Sequence, residues 1–200
     1  MYQLFIKNIL DILFGTVLFI LTFPLFVIIS VLLFFINKGQ IFFRQIRVGK
    51  KEKLFRVLKF KTMIDTEDGN GNRLSEDERI TSIGKFLRKT HLDEIPQFIN
   101  VLKGEMSLIG PRPLLPEYLP LYDKLQRQRH FVKPGITGWA QVQSNEIKSW
   151  GDIFVYDNWY VEHISLLTDI KIFFFTLRKI AVGVFASVEQ KPKERFTGKN

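Results

Sequence analysis

The sequence predicts an α+β fold, mainly helical with a short β-hairpin, carried behind an N-terminal membrane segment. Three observations predict it. Residues 12–36 contain no charged side chain. Two runs rich in β-branched and aromatic residues, 41–48 and 54–61, flank the polar connection Gly49-Lys50-Lys51-Glu52-Lys53, which is the pattern of a hairpin. Further on, apolar residues recur at helical spacing between proline and glycine stops. The 200 residues suit one modest domain with a real core.

In chain order, the apolar stretch comes first. At ~1.5 Å per residue a straight helix over 12–36 exceeds the ~30 Å hydrocarbon core of a bilayer. Only Lys7 marks a basic start and no small-residue cleavage site follows, so the segment is expected to stay in the mature protein. Pro24 sits in its middle, where it frees a carbonyl and clashes with the preceding turn. Two arrangements remain open on physical grounds: a bent single span, or a re-entrant hairpin that returns to the face it entered.

In the hairpin, period two places Phe55, Val57, Lys59 and Lys61 on one face of the second strand, and Leu54, Arg56, Leu58 and Phe60 on the other. Residues 65–78, with Gly69-Asn70-Gly71, read as a surface loop. A helix is expected from Thr81-Ser82 with Ile83, Phe86 and Leu87 inward. The next has Pro96 in its first turn, Phe98, Ile99 and Leu102 as its apolar stripe, and Gly104 at its end. Residues 109–116 form a proline-rich turn, 118–131 look helical, and Lys133-Pro134-Gly135 starts a turn followed by a strand. A last helix over 164–185 has the Ile, Leu and Phe content of an interfacial amphipathic helix. The polar tail from 187 is expected to be loose.

The net charge is +9, concentrated beside the apolar segment. Lys38, Arg44, Arg47, Lys50, Lys51, Lys53, Arg56, Lys59 and Lys61 face Glu52 alone. Their position favours an anionic lipid surface, or a phosphate substrate held near one, over nucleic acid. The basic flank also puts the chain after residue 36 on the cytoplasmic side. There is no cysteine, which excludes disulfides and thiolate metal sites. His91, His130 and His163 lack metal-ligand spacing, and no GxxxxGK[ST] or GxGxxG occurs.

Two segments can carry chemistry. In Arg88-Lys89-Thr90-His91-Leu92-Asp93-Glu94-Ile95-Pro96-Gln97, adjacent carboxylates precede a proline-started helix. Acidic residues there serve as ordinary complements to a helix N-terminus; an ionised Asp93 near Arg88 could equally attack phosphorus. In Gly110-Pro111-Arg112-Pro113, an arginine between two prolines has a stiff backbone and loses little entropy in clamping a phosphate, though a plain rigid turn reads the same way.

Together these segments resemble the monotopic phosphoglycosyl transferases, the bacterial sugar transferase family, in its small PglC-like members. The resemblance runs through Phe43-Arg44-Gln45, Val48-Gly49, Lys59-Phe60-Lys61-Thr62-Met63, Gly84, Leu87-Arg88, Leu92-Asp93-Glu94-Ile95-Pro96-Gln97, Asn100-Val101-Leu102-Lys103-Gly104, Gly110-Pro111-Arg112-Pro113, Lys133-Pro134-Gly135-Ile136-Thr137-Gly138, Asp157 and Trp159-Tyr160. It covers nearly the whole chain. It implies a re-entrant membrane helix broken at Pro24 over residues 1–37, a catalytic domain on the cytoplasmic face of the bacterial inner membrane over 38–186, and a tail over 187–200.

The resemblance also implies a Mg²⁺-dependent transfer of a phosphosugar from a UDP-sugar to polyprenyl (undecaprenyl) phosphate, through a covalent intermediate on Asp93. That step would begin glycoconjugate biosynthesis. Asp93 maps to the nucleophile and a Mg²⁺ ligand, and Glu94 to the partner carboxylate. Lys59, Arg88 and Arg112 are expected to contact phosphate. Two departures stand out. Thr22-Phe23-Pro24 replaces the serine that many relatives place before the membrane proline. Gln143-Ser144-Asn145-Glu146 replaces an Asn-Gly-Arg-Asn element, a change expected to bear on the sugar held, for which the family suggests an N-acetylated one. The rival reading is a non-catalytic, membrane-anchored basic scaffold, which explains the apolar segment and basic belt but not the carboxylate pair beside a Pro-Arg-Pro turn.

Overall fold

A computed structural model describes residues 2–64, 75–181 and 195–198. A π-helical turn, Tyr2–Ile6, leads into helix α1, Lys7–Ile36, which contains Pro24. This helix is long and apolar enough to cross a membrane. Thr22, two residues before the proline, turns its hydroxyl back onto the carbonyls of Leu18 (2.8 Å) and Phe19 (3.3 Å). Along one side α1 exposes Ile20, Leu21, Ile28 and Phe35. The other side packs on the rest of the protein at both ends. Near its start, Gly15 lies so close to Val101 that a Cβ would stand 3.1 Å from its Cγ1. Near its end, Ile29 and Leu33 are buried with Phe60, Leu87 and Ile95, and Asn37 donates to the Lys61 carbonyl at 2.8 Å.

The first turns of α1 also carry a buried polar anchor. Lys7 Nζ lies 2.7 Å from Asp169 Oδ2 and 3.9 Å from Asp11 Oδ1. Asp11 Oδ1 accepts from the Ser107 hydroxyl (2.9 Å) and the Leu108 amide (3.0 Å). Asp169 also accepts from the hydroxyls of Tyr2 (2.6 Å) and Tyr160 (2.7 Å). A charge taken out of water survives only when paired and hydrogen-bonded; both conditions are met for Lys7 and Asp169, while Asp11 Oδ2 has no hydrogen-bond partner among the described residues.

The predicted hairpin forms as β1, Phe42–Val48, and β2, Leu54–Phe60, antiparallel with Phe42 opposite Phe60 and Val48 opposite Leu54. Phe55 and Val57 are buried on one face, as period two requires. Phe60, on the other face, is buried as well, under α1, where its ring meets those of Phe26 (5.3 Å between centroids) and Phe42 (5.8 Å). The hairpin is therefore covered on both sides, with Lys59 between the two packed regions.

Residues 65–74, including Gly69-Asn70-Gly71, lie outside the described residues. The loop expected over 65–78 is in part helical: α2, Glu76–Arg79, is one turn capped by Ser75. Helix α3, Ser82–Lys89, begins as expected, with Thr81 Oγ1 accepting from the Gly84 amide. Leu87 is buried and Ile83 packs beside it, but Phe86 is 58% exposed, contrary to expectation. The buried side runs through Ile83, Gly84 and Leu87, and at 3.6 residues per turn residue 86 lies about 100° round the helix from residue 87.

Helix α4, Gln97–Leu102, buries Gln97, Asn100 and Val101 most deeply, while Phe98 and Leu102 of the expected stripe are half-buried against α1 and the cluster beneath it. Hydrogen bonding draws Asn100 in. Asn100 Nδ2 donates to the Arg56 carbonyl (2.8 Å), and its Oδ1 accepts from the Leu58 amide (3.0 Å). A polar side chain thus completes the outer edge of β2, which a two-stranded sheet would leave unpaired. Gly104, at φ +75°, ends the helix as predicted.

Strand β3, Ser107–Ile109, pairs in parallel with β4, Gly135–Thr137. The Gly110 amide donates to the Thr137 carbonyl (2.9 Å), and the Gly135 amide to that of Pro111 (3.0 Å). The two backbones touch: a Cβ on Gly135 would stand 2.1 Å from the Gly110 nitrogen. The two proline-glycine motifs are one unit, and glycine is required because nothing larger fits between the chains. The strand expected after Lys133-Pro134-Gly135 is this short β4, and the chain turns at once into α5, Trp139–Val142.

The region 118–131 is not a continuous helix. Two 3-10 segments, Pro116–Leu121 and Gln126–Phe131, are separated by a turn in which Asp123 Oδ1 accepts from the amides of Leu125 and Gln126. Helix α6, Trp150–Glu162, has no counterpart in the sequence expectation, although Ser149 and Asp152 form a reciprocal capping box at its start. Helix α7, Leu166–Ala181, lies within the expected 164–185; positions 182–185 are outside the described residues, as are 187–194 and 199–200 of the tail. Phe196 overturns the expectation of a loose tail at that point: it is 3% exposed, among Tyr118, Tyr122, Trp150 and Phe154.

His130, buried beside Tyr122, gives the fold a pH dependence. Burial first, then the charges of Arg129 and Arg127, lower its pKa from 6.5 to about 3. The unfolded chain therefore binds this proton first as pH falls, so stability is lost below about pH 6.5 and the loss grows towards pH 3. At pH 5 the cost is about 2 kcal/mol. Asp157, raised to about 6 by burial, acts in the opposite sense over an overlapping range. The measurement is thus a difference: the Tm of the wild type should fall more steeply between pH 7 and pH 5 than that of His130→Gln, which keeps Asp157. Parallel slopes would refute the assignment.

Candidate active site

Four elements converge on the carboxylate pair. Helix α3 ends at Lys89, His91 takes a left-handed conformation (φ 56°), and Leu92–Glu94 forms a 3-10 turn before α4. Ile95, 6% exposed, and Leu92 pin this turn into the cluster under α1. The carboxylates thus stand on a short, anchored connection between two helices. Helix α4 takes no side-chain cap, and its N-cap position is Pro96. The helix-complement reading of Asp93 and Glu94 does not describe their contacts.

Glu94 is tied to two cations. Its Oε1 lies 2.5 Å from Lys59 Nζ, delivered by β2, and 3.2 Å from Arg112 Nη2, delivered by the Pro-Arg-Pro turn. Burial alone would raise its pKa, but the Lys59 and Arg112 charges outweigh burial and hold it well below the usual carboxylate range. Asp93 is 8% exposed, and among the described residues no side chain hydrogen-bonds its carboxylate. Burial, followed by the adjacent Glu94 charge, pushes its pKa up, against the pull of Lys59, Arg112 and Arg88. The two neighbours are driven apart: one carboxylate neutralised by ion pairs, the other left with unshared, more basic oxygens.

All five residues singled out for chemistry meet here. Arg88 donates from Nε to Thr62 Oγ1 at 2.9 Å, which fixes its side chain beside the pair. Pro24 is not part of the site; it lies within α1. Two residues that sequence reasoning did not select line the same cleft with Lys59, Glu94 and Arg112. Arg47, on β1, has its pKa lowered to about 10 by burial and by the Arg112 charge. Gln97 is 2% exposed with its Nε2 unpartnered among the described residues. Arg47 was visible only as one cation of a basic belt, and Gln97 only as a polar residue on a helix whose stripe was assigned to its apolar neighbours.

The cleft gathers three cations, Arg47, Lys59 and Arg112, around Glu94, with Asp93 next to it on the same 3-10 turn, a charge arrangement that suits an anionic, phosphate-bearing ligand. Among the described residues there is no group of three or more His, Cys, Asp or Glu side chains able to cage a metal. Mg²⁺ does not need one, since it commonly takes one or two carboxylates, waters and substrate phosphates. The unshared carboxylate of Asp93 fits that donor set.

Comparison with known proteins agrees with this chemistry. The bacterial sugar transferase profile matches residues 2–183. An uncharacterised sugar transferase of Bacillus subtilis, EpsL, is 47% identical over 161 residues, covering 80% of each chain. The UDP-N-acetylgalactosamine-undecaprenyl-phosphate N-acetylgalactosaminephosphotransferase of Aeromonas hydrophila is 39% identical over 187 residues, 90% of this chain and 44% of that protein. The UDP-glucose:undecaprenyl-phosphate glucose-1-phosphate transferase of Escherichia coli K12 is 37% identical over 184 residues, 87% of this chain and 40% of that protein. The chain therefore spans most of EpsL but less than half of the two larger transferases. Matched across nearly its whole length, the chain belongs to the bacterial sugar transferase family.

Proposed function

We propose that this enzyme transfers a phosphosugar from a UDP-sugar to polyprenyl phosphate, most simply undecaprenyl phosphate, and so initiates assembly of a lipid-linked glycan. The observation that carries the reading is the buried, unshared carboxylate of Asp93 beside a Glu94 already neutralised by Lys59 and Arg112. The names of the A. hydrophila and E. coli relatives support the two substrates.

In the first step an Asp93 oxygen forms a bond to the β-phosphorus of the donor, and the bond from that phosphorus to the bridging oxygen breaks. UMP leaves with the electron pair, and an aspartyl phosphosugar remains. In the second step an oxygen of polyprenyl phosphate attacks the same phosphorus and Asp93 is released unchanged. Lys59, Arg112 and Arg88 offset the repulsion between carboxylate and diphosphate. Glu94 holds Lys59 and Arg112 in place and lies within reach of the incoming acceptor. Bound through Asp93, Mg²⁺ would add positive charge that stabilises the leaving phosphate.

The reading places the enzyme on the cytoplasmic face of the inner membrane. Its domain touches α1 at Asp11 and Gly15 and again at Ile29, Leu33 and Asn37. A helix crossing perpendicular to the bilayer would hold those two groups of residues about 30 Å apart, on opposite sides of the hydrocarbon. Contact of one domain with both favours a helix that enters and returns on one face, with α7 lying along the interface through Leu167, Phe174 and Leu177. A tag ahead of Met1 should then be labelled only from the cytoplasmic side, and labelling from outside would restore a span.

The direct test is capture of the intermediate. Purified enzyme incubated with Mg²⁺ and a panel of UDP-sugars, without acceptor, should release UMP in a stoichiometric burst. Peptide mass spectrometry should then find a phosphosugar on Asp93 that disappears when polyprenyl phosphate is added. A folded preparation that gives neither burst nor adduct with any donor, yet turns over when acceptor is supplied, would exclude the covalent route.

A further inference from the structure

Arg129 and Asp157 form the most deeply buried ion pair of the described structure, with side chains 1% and 2% exposed, and the reaction above does not use them. Arg129 Nε and Nη2 both donate to Asp157 Oδ2, at 3.1 and 2.7 Å. The same Nη2 also donates, at 2.7 Å, to the main-chain carbonyl of Arg112. The guanidinium lies 5.7 Å from the centroid of the Phe154 ring. One fixed guanidinium thus connects α6 to the backbone of the residue whose side chain holds Glu94.

We propose that Arg129, oriented by Asp157, is a positioning residue that sets the Pro-Arg-Pro turn so that Arg112 faces the carboxylate pair. The proposal rests on the reading that Arg112 serves phosphate chemistry in the cleft. Its physical basis is the scarcity of other restraints at that point. Pro113 has no N–H, so the peptide between residues 112 and 113 can be held only through its carbonyl, and Arg129 holds it. The preceding peptide is fixed from the opposite side, where Gly135 N–H donates to the Pro111 carbonyl at 3.0 Å. Both peptide planes flanking Arg112 are therefore clamped, one by β4 and one by Arg129. A small rotation of the second plane would swing the guanidinium away from Glu94, now 3.2 Å distant.

The energetics favour a role in orientation over one in stability. A buried ion pair costs about as much to desolvate as it returns, and apolar replacements of similar volume are often no less stable. What an apolar replacement cannot supply is a donor aimed at the Arg112 carbonyl. Displacements of about 1 Å in a charge-stabilising group can cost on the order of a hundredfold in rate.

The test is a double-mutant cycle on kcat/KM for UMP release, with Tm followed for every variant. Arg112→Ala should lower kcat/KM; if it does not, the reading of Arg112 itself is wrong. Arg129→Lys keeps a charge opposite Asp157, but its Nζ stops one bond short of the Nη2 that reaches both acceptors, so it should fold and lose about tenfold or more. Asp157→Asn, near-isosteric, is the second probe and should lose less than Arg129→Lys. On the Arg112→Ala background both should cost less than about twofold, because the group they orient is gone. A merely structural pair would instead lower Tm and activity by the same factor on either background. Full additivity, with Arg112→Ala itself impaired, would overturn the positioning role while leaving the assignment of Arg112 standing.

Discussion

Asp93→Asn should abolish adduct formation and reduce UMP release by at least about a thousandfold, as loss of a nucleophile does, while leaving the fold intact or firmer. Asparagine matches the shape of aspartate but offers no anionic oxygen to phosphorus. No hydrogen bond among the described residues is lost, because the Asp93 carboxylate makes none. Burial and the Glu94 charge disfavour ionised Asp93 in the folded chain, so a neutral side chain relieves a penalty and Tm should hold or rise. Glu94→Gln should behave differently. It leaves Lys59 and Arg112 without their shared counter-charge, so Tm should fall and residual turnover should persist through Asp93. If Asp93→Asn retained a normal burst and Glu94→Gln lost it, the two roles would have to be exchanged.

The contrast between these neighbours was only half legible in the sequence. Two carboxylates before a proline read as either helix complements or chemistry. What separates the readings is long-range: Lys59 arrives from a strand and Arg112 from a turn that are distant in sequence, and both choose Glu94. Pairing by period two put Lys59 on the same face as Phe55 and Val57, and its place beside the core follows from that register. The stiff Pro-Arg-Pro turn was visible as well, but not the glycine-to-glycine contact of residues 110 and 135 that seats it.

Local signals were read reliably where one residue decides them. The Thr81 cap, the Gly104 stop and the hairpin ends each follow from short-range chemistry. The errors came where tertiary contact overrides pattern. Asn100 turns inward because β2 has an unpaired edge to satisfy, which gives α4 a second buried side beside its apolar stripe. Phe86 stays exposed because the short α3 buries only one line of side chains. Helix α6 mixes buried Trp150, Phe154, Asp157 and Tyr160, a stripe in which a charged residue sits among aromatics and blurs the hydrophobic period. Its Ser149-Asp152 box was the available signal. Phe196 is a lone aromatic in a polar tail, and only the aromatic cluster it completes explains its burial.

Asp169→Leu should be the most destabilising change outside the cleft, by roughly 3–5 kcal/mol, or about 10 °C in Tm for a chain of this size. It would leave Lys7 buried with Asp11 alone, 3.9 Å away, would strip the acceptor from the Tyr2 hydroxyl, and would leave the Tyr160 hydroxyl the Ile109 carbonyl in place of a carboxylate. Lys7→Met should cost less, because both tyrosine hydroxyls still solvate the Asp169 carboxylate. The double variant Lys7→Met/Asp169→Leu should recover a large part of the loss, since the expense lies in an unpaired charge rather than in the missing contact. Thermal unfolding in a lipid nanodisc measures all three. Strictly additive losses would mean that the two side chains do not act as a pair. The same anchor has a consequence for activity. Asp11 holds Ser107 and Leu108 on β3, the Tyr160 hydroxyl donates to Asp169 at 2.7 Å and lies 3.1 Å from the Ile109 carbonyl, and the Pro-Arg-Pro turn follows immediately. The start of the membrane helix is thereby joined to the strand that presents Arg112, so Asp169→Leu should lower kcat/KM at temperatures well below its Tm, whereas the double variant should regain Tm more fully than turnover.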